Sequence, residues 1–228
     1  MHRAEPHLHS SPSAPQARPS GVGEGASQPL ANAPDRPLEA ERARSAFPEI
    51  AATRSDKDVL RLRDIAYADA AALLARYHLR LERVADAEPI PGSYWGDDEA
   101  GVIGHAVHVR DDTPVHSLLH EACHLIVLPP ERRATVHTDA TDSVEEEDAV
   151  CVLQALLGDA LPGVGRARVL ADMDAWGYTF RLGSAAAYFE RDAAAAWDWL
   201  QARGLVGPDK SLRVPATSGE DAGDATAG

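Results

Sequence analysis

Two cysteines, Cys123 and Cys151, are all the thiol in a chain of 228 residues. That number builds no disulfide framework, so an apolar core must hold the fold, and a reducing cytoplasm is the expected compartment. Long apolar runs are missing as well. None approaches the ~20 residues that cross a bilayer. The opening MHRAEPHLHSSPSAPQ has no apolar centre of the kind a secretory signal carries, and Glu5, Glu24 and Asp35 interrupt a mitochondrial address. Positive charge is scarce: 22 basic residues stand against 36 acidic ones, a formal net charge of −14. General nucleic-acid binding needs a cationic face for phosphates, so neither a nucleic acid nor a membrane is an expected partner.

What is present suffices for one ordinary domain, because 44% of the residues are hydrophobic. Residues 1–50 are dense in Pro, Ser, Gly and Ala and read as a disordered tail, as do residues 207–228. The folded unit is expected over 55–206. Within it, VLRLRDIAYADAAALLARYHL (59–79) has helical spacing. LRLERV (79–84) alternates like a strand, PIPGSYWGDDEAG is turn-rich, and GVIGHAVHVR (101–110) reads as one strand paired with 79–84 or with the region of Ser93–Trp95. DDTPVH offers Asp112 or Thr113 as N-cap to a helix from Pro114 to Val127, stopped by Pro129-Pro130. After a loop from Pro129 to Asp142, three further helices are expected, at 143–159, 163–180 and 183–205. The pattern is α+β, with a small antiparallel sheet packed on helices.

The expected helix at 114–127 carries HEACH (120–124). His120 and His124, four apart, project from one face about a turn apart, so both imidazoles can reach one zinc ion at about 2.0–2.1 Å. Glu121 lies about 100° around the helix, where it can take a proton from a zinc-bound water and return it to a leaving amine. The alternative is a buried helix with two hydrogen-bonded histidines, which leaves a carboxylate on a largely apolar helix to be explained.

A third ligand is required for a hydrolytic zinc site. In SVEEEDAVCVLQALL, Ala149, Val150, Val152, Leu153, Leu156 and Leu157 define an apolar arc at 100° per residue. Glu146 falls inside that arc, Glu145 near its edge, and Glu147 points away. Glu146 is therefore the favoured ligand and Glu147 the next. Against both, acids in a first turn favour the helix dipole, and Ser143-x-x-Glu146 has the form of a capping box.

HEACH followed by EEDA (146–149) resembles the glutamate-type zincin metallopeptidases, with a partial likeness to compact ImmA/IrrE-type peptidases. Leu156-Leu157 continues that likeness, whereas Val150 stands where the family carries Asp or Asn. The resemblance implies a minimal zincin-like fold in which Zn2+ is held by His120, His124 and Glu146. It also implies Glu121 as general base and a peptide or protein as substrate. A regulatory protein on the same scaffold, or a zinc amidase acting on a non-peptide substrate, is the alternative.

Other residues have weaker signals. His116 continues the four-residue series but reads as a surface histidine near the helix start. Asp139 or Asp142 is placed to orient a zinc histidine. His137, Tyr178 and Arg181 are candidate donors to a tetrahedral oxyanion. His105 and His108 lie on the strand before the zinc helix, which in zincins pairs with extended substrate. Cys123 and Cys151 read as small buried residues.

Overall fold

The computed structural model describes residues 58–94, 96–138, 140 and 143–214. Both expected tails therefore fall largely outside the described residues, as do Asp139 and Asp142. The architecture is α+β: among the described residues, seven α-helices accompany one three-stranded sheet. No described helix is long and apolar enough to cross a membrane.

The strands are β1 (Arg80–Arg83), β2 (Gly101–Ile103) and β3 (Ala106–Val109), in the order β1-β3-β2. The expected single strand over 101–110 is two strands. Gly104 takes a positive φ of 59° and turns the chain back, so that Gly101 faces His108 and Ile103 faces Ala106. The alternation continues through the turn, which conceals it in the sequence. β1 does pair with this segment as expected, but parallel to β3, with Arg80 opposite Ala106 and Arg83 opposite Val109. The sheet is thus mixed rather than antiparallel.

β3 is central, so His108 lies on no edge. β2 is the outer strand, and its outward groups are occupied. Val102 N–H donates to Gly92 O at 3.2 Å, and Val102 O accepts from Thr138 N–H at 3.0 Å. Gly104 N–H donates to Val136 O at 2.9 Å. The expected open edge for an extended substrate is filled by the protein's own loops.

The helices are α1 (Tyr67–Ala75), α2 (Val115–Val127), α3 (Pro130–Arg133), α4 (Val144–Ala160), α5 (Arg166–Trp176), α6 (Ala185–Arg191) and α7 (Ala194–Ala202). The expected first helix is shortened to α1 and a 3-10 turn at Leu62–Asp64. Tertiary bonding overrides its periodicity. Leu62 N–H donates to Thr113 O at 2.8 Å and Val115 N–H to Leu60 O at 2.8 Å, tying this segment to the start of α2. The expected fourth helix breaks between α6 and α7 at Asp192, whose carboxylate is held by Arg181. The packed region also passes the expected limit at Val206: Val206 bridges Leu212, and Leu212 and Val214 pack on the core.

α2 begins after Pro114 rather than at Asp112 or Thr113. Thr113 Oγ1 instead accepts from Arg110 N–H at 2.9 Å, closing the turn from β3. The helix ends where Leu128 becomes extended, one residue before the proline pair. Its last carbonyls are capped by buried Arg133, which donates to Leu128 O at 3.2 Å and Ile126 O at 3.3 Å. The same guanidinium donates to Tyr77 O at 3.0 Å, just beyond α1. α2 packs on β2 and β3 on one side and on α4 and α5 on the other. α4 runs through the middle of the helical layer, against α2, α5 and α7.

Candidate metal centre

α2 and α4 meet along the face of α4 that carries Glu147, Cys151 and Gln154. Seven residues separate Glu147 from Gln154, so they stand about 20° apart around the helix and two turns along it. Opposite them on α2 stand His120 and His124. His120 Nε2 is 3.2 Å from Glu147 Oε1, and His124 Nε2 is 3.5 Å from Glu147 Oε2. The two Nε2 atoms are 3.0 Å apart. Ligands on a tetrahedral zinc at about 2.0–2.1 Å sit about 3.3 Å from one another. With one ligand atom from each residue, the three side chains lie within 4.8 Å of one another, near enough to hold a metal ion, and two imidazoles with one carboxylate are a donor set that zinc accepts.

The group contains Glu147 where the sequence favours Glu146. Every α4 residue from Ala149 to Gly158 is buried, because this helix has neighbours all round. An apolar arc then cannot reveal which face meets α2. Glu146 is itself buried. It lines a separate cavity of about 420 Å³ with Ile126, Pro129, Arg133, Arg203 and Leu205. Its N–H donates to the N-cap Ser143 Oγ at 3.2 Å, one half of the expected capping box.

Gln154 is fully buried, and its Oε1 lies 2.6 Å from His120 Nδ1. A carbonyl oxygen only accepts, so this contact places a proton on Nδ1 and presents Nε2 toward the centre. No reading of the sequence singled out this residue. Its signal is a lone amide in the apolar run VCVLQALL, two turns after Glu147. The loop aspartates expected in that role lie outside the described residues.

The members of the group shift one another's protonation in opposite directions. Burial alone pushes the His120 imidazolium down. Hydrogen bonding and charge from Glu147, with Glu121 and Gln154 behind it, outweigh burial and raise it to about 9. Burial and the neighbouring His120 push His124 down to about 3. Glu121 is half-buried, and its charge bears on both His120 and Tyr178.

The remaining candidates separate clearly. His116 is no surface histidine: it is wholly buried, with its ring 5.1 Å from that of Trp176 and 5.8 Å from that of Tyr178. The Tyr178 ring also stands edge-on to His120 at 5.8 Å. Burial, then the nearby Cys151, Glu99, Glu121 and Glu147, push its phenol well above the ordinary range. His137 is exposed beside the β2 edge, where its ring shares a hydrogen bond of 2.7 Å with Thr138 Oγ1. Arg181 is exposed and pairs with Asp192. Cys123 and Cys151 are free and buried, and burial raises both thiols. Compared with protein-family models, curated proteins and solved structures, the chain matches none.

Proposed function

We propose that the protein is a zinc-dependent hydrolase of amide bonds with a zincin-like arrangement, in which His120, His124 and Glu147 hold the metal. The observation that carries the reading is the convergence of one carboxylate on two imidazoles: the Nε2 atoms are 3.0 Å apart, and Glu147 sets one oxygen 3.2 Å from His120 and the other 3.5 Å from His124. Zinc bound there supplies Lewis-acid polarisation of a carbonyl and lowers the pKa of a bound water toward about 7.

The chain's own residues do the rest. Gln154 holds His120 in the tautomer that offers Nε2. Glu121 accepts the proton of the attacking water as its oxygen bonds to the carbonyl carbon. When the carbon–nitrogen bond breaks, Glu121 returns that proton to the departing amine. No covalent acyl-enzyme forms. An intact Glu121 favours hydrolysis over a purely structural site, which has no need of a base. The two free, buried thiols suit a reducing cytoplasm.

The substrate is a peptide in the first reading and a non-peptide amide in the second. The filled edge of β2 favours the second, because an extended peptide has no free strand there to pair with. Hydrolysis of oligopeptides and of N-acyl amino-acid amides by the zinc-loaded chain decides between them. Glu121→Gln is expected to keep its zinc and lose at least 100-fold in rate. Equal rates in wild type and variant would remove Glu121 as base.

A further inference from the structure

We propose that the cavity beside Glu146 is a second binding site of this protein, for a free amino acid with an aliphatic side chain. The ligand's carboxylate meets Arg133 and Arg203, its ammonium meets Glu146, and its side chain lies on the apolar wall. The cavity has a volume of about 420 Å³, within the ~300–1,000 Å³ of small-molecule sites. Four segments build it: the end of α2, the short α3, the first turn of α4 and the chain just after α7. None of His120, Glu121, His124 and Glu147 lines it, so the site stands apart from the metal centre and from the hydrolytic reading.

Charge selects the class of ligand. Arg133 and Glu146 are each only 8% exposed, so the cavity carries buried charges of both signs. They do not neutralise one another. Arg133 gives one N–H from each of its three nitrogens to the carbonyls of Leu128, Tyr77 and Ile126, and among the described residues no carboxylate pairs with it. Burial accordingly pushes its guanidinium below the ordinary range, with no acidic neighbour to oppose the shift. One N–H remains on each terminal nitrogen, enough for the two oxygens of a carboxylate. Arg203 is exposed, stacks on the Trp199 ring at 3.3 Å, and likewise has no carboxylate partner among the described residues.

A ligand of one sign leaves a buried charge of the other sign against its apolar body, which costs free energy. A zwitterion matches both. A carboxylate accepts at about four lone-pair positions, so an ammonium can join the partners that Glu146 already has. Ile126, Pro129 and Leu205 supply the aliphatic surface on which a branched side chain is taken out of water.

The test titrates the full chain with L-leucine in calorimetry, beside isocaproate, which lacks the ammonium, and isoamylamine, which lacks the carboxylate. Leucine is expected to saturate one site per chain, and each truncated analogue to bind at least about tenfold more weakly. Arg203→Gln and Glu146→Gln should each weaken leucine by about the same factor. Arg133 stays in place because it caps α2. Glu147→Gln should bind leucine as the wild type does. A wild type without saturable leucine binding, or unchanged affinity in Arg203→Gln and Glu146→Gln, would overturn the site. Isocaproate binding as tightly as leucine would overturn the zwitterionic class. Leucine binding lost in Glu147→Gln and kept in Glu146→Gln would move the ligand to the metal centre and overturn the assignment. Each of these leaves the hydrolytic reading standing, which falls instead with a wild type that takes up no zinc.

Discussion

Gln154 Oε1 lies 2.6 Å from His120 Nδ1, two turns along α4 from the carboxylate that faces His120 Nε2. One helix therefore sets both nitrogens of the same imidazole. Removing such a partner typically lowers metal affinity 10- to 100-fold. Gln154→Leu, close in size, is expected to weaken zinc binding by about that factor without loss of fold, in competition against a chromophoric chelator. Gln154→Glu should restore tight binding, because a carboxylate accepts the same proton.

The choice of third ligand gives a sharper contrast. Glu147→Gln should lose zinc at stoichiometric concentrations, and Glu146→Gln should keep it, by metal analysis after gel filtration. Zinc retained in the first and lost in the second would return the role to Glu146.

These two residues show how far the sequence alone can reach. HEACH is legible because both histidines and the glutamate lie within one turn and a half of a single helix, whose periodicity is local. The strand at 80–83, the helix at 115–127 and the helix at 144–160 are legible for the same reason. The third ligand is a relation between two helices. Hydrophobic periodicity marks a face only where the opposite face meets water, and α4 has no such face from Ala149 to Gly158. Gln154 is invisible until α2 is laid beside it. The split of residues 101–110 failed for a different reason: a glycine turn preserved the alternation on both sides of it.

Acid should weaken the entry to α2. Burial raises the Asp112 carboxyl, but the hydrogen bond and charge of Arg110, helped by Arg61, outweigh this and hold it below its ordinary range. A carboxyl depressed on folding stabilises the fold above its unfolded pKa of about 3.9, and that stabilisation disappears as pH falls through the lower folded value. Asp112→Asn should therefore lower the urea midpoint at pH 7. The gap to wild type should narrow as pH falls below about 3.9 and close below the depressed folded value, where the wild type also loses the charge.

Helices α4 and α5 approach closely at Gly158. A Cβ built there meets Val169 Cγ2 at 2.6 Å and Gly165 O at 3.3 Å. Gly158→Ala is expected to destabilise by about 1–3 kcal/mol through overpacking, despite the better helix propensity of alanine. Adding Val169→Ala should recover part of that loss in urea denaturation, since it removes the first atom struck. A fully additive double variant would locate the strain elsewhere.

The bonds that fill β2 have a consequence beyond substrate access. An outer strand with free N–H and C=O groups is a template for another chain, and three-stranded sheets have two such strands. Here one is sealed by Gly92, Val136 and Thr138. The other, β1, has Leu81 O taken by the Tyr67 hydroxyl at 2.6 Å and presents Arg80, Glu82 and Arg83. Both margins of the sheet are thus guarded against edge-to-edge self-association, one by backbone and the other by charge.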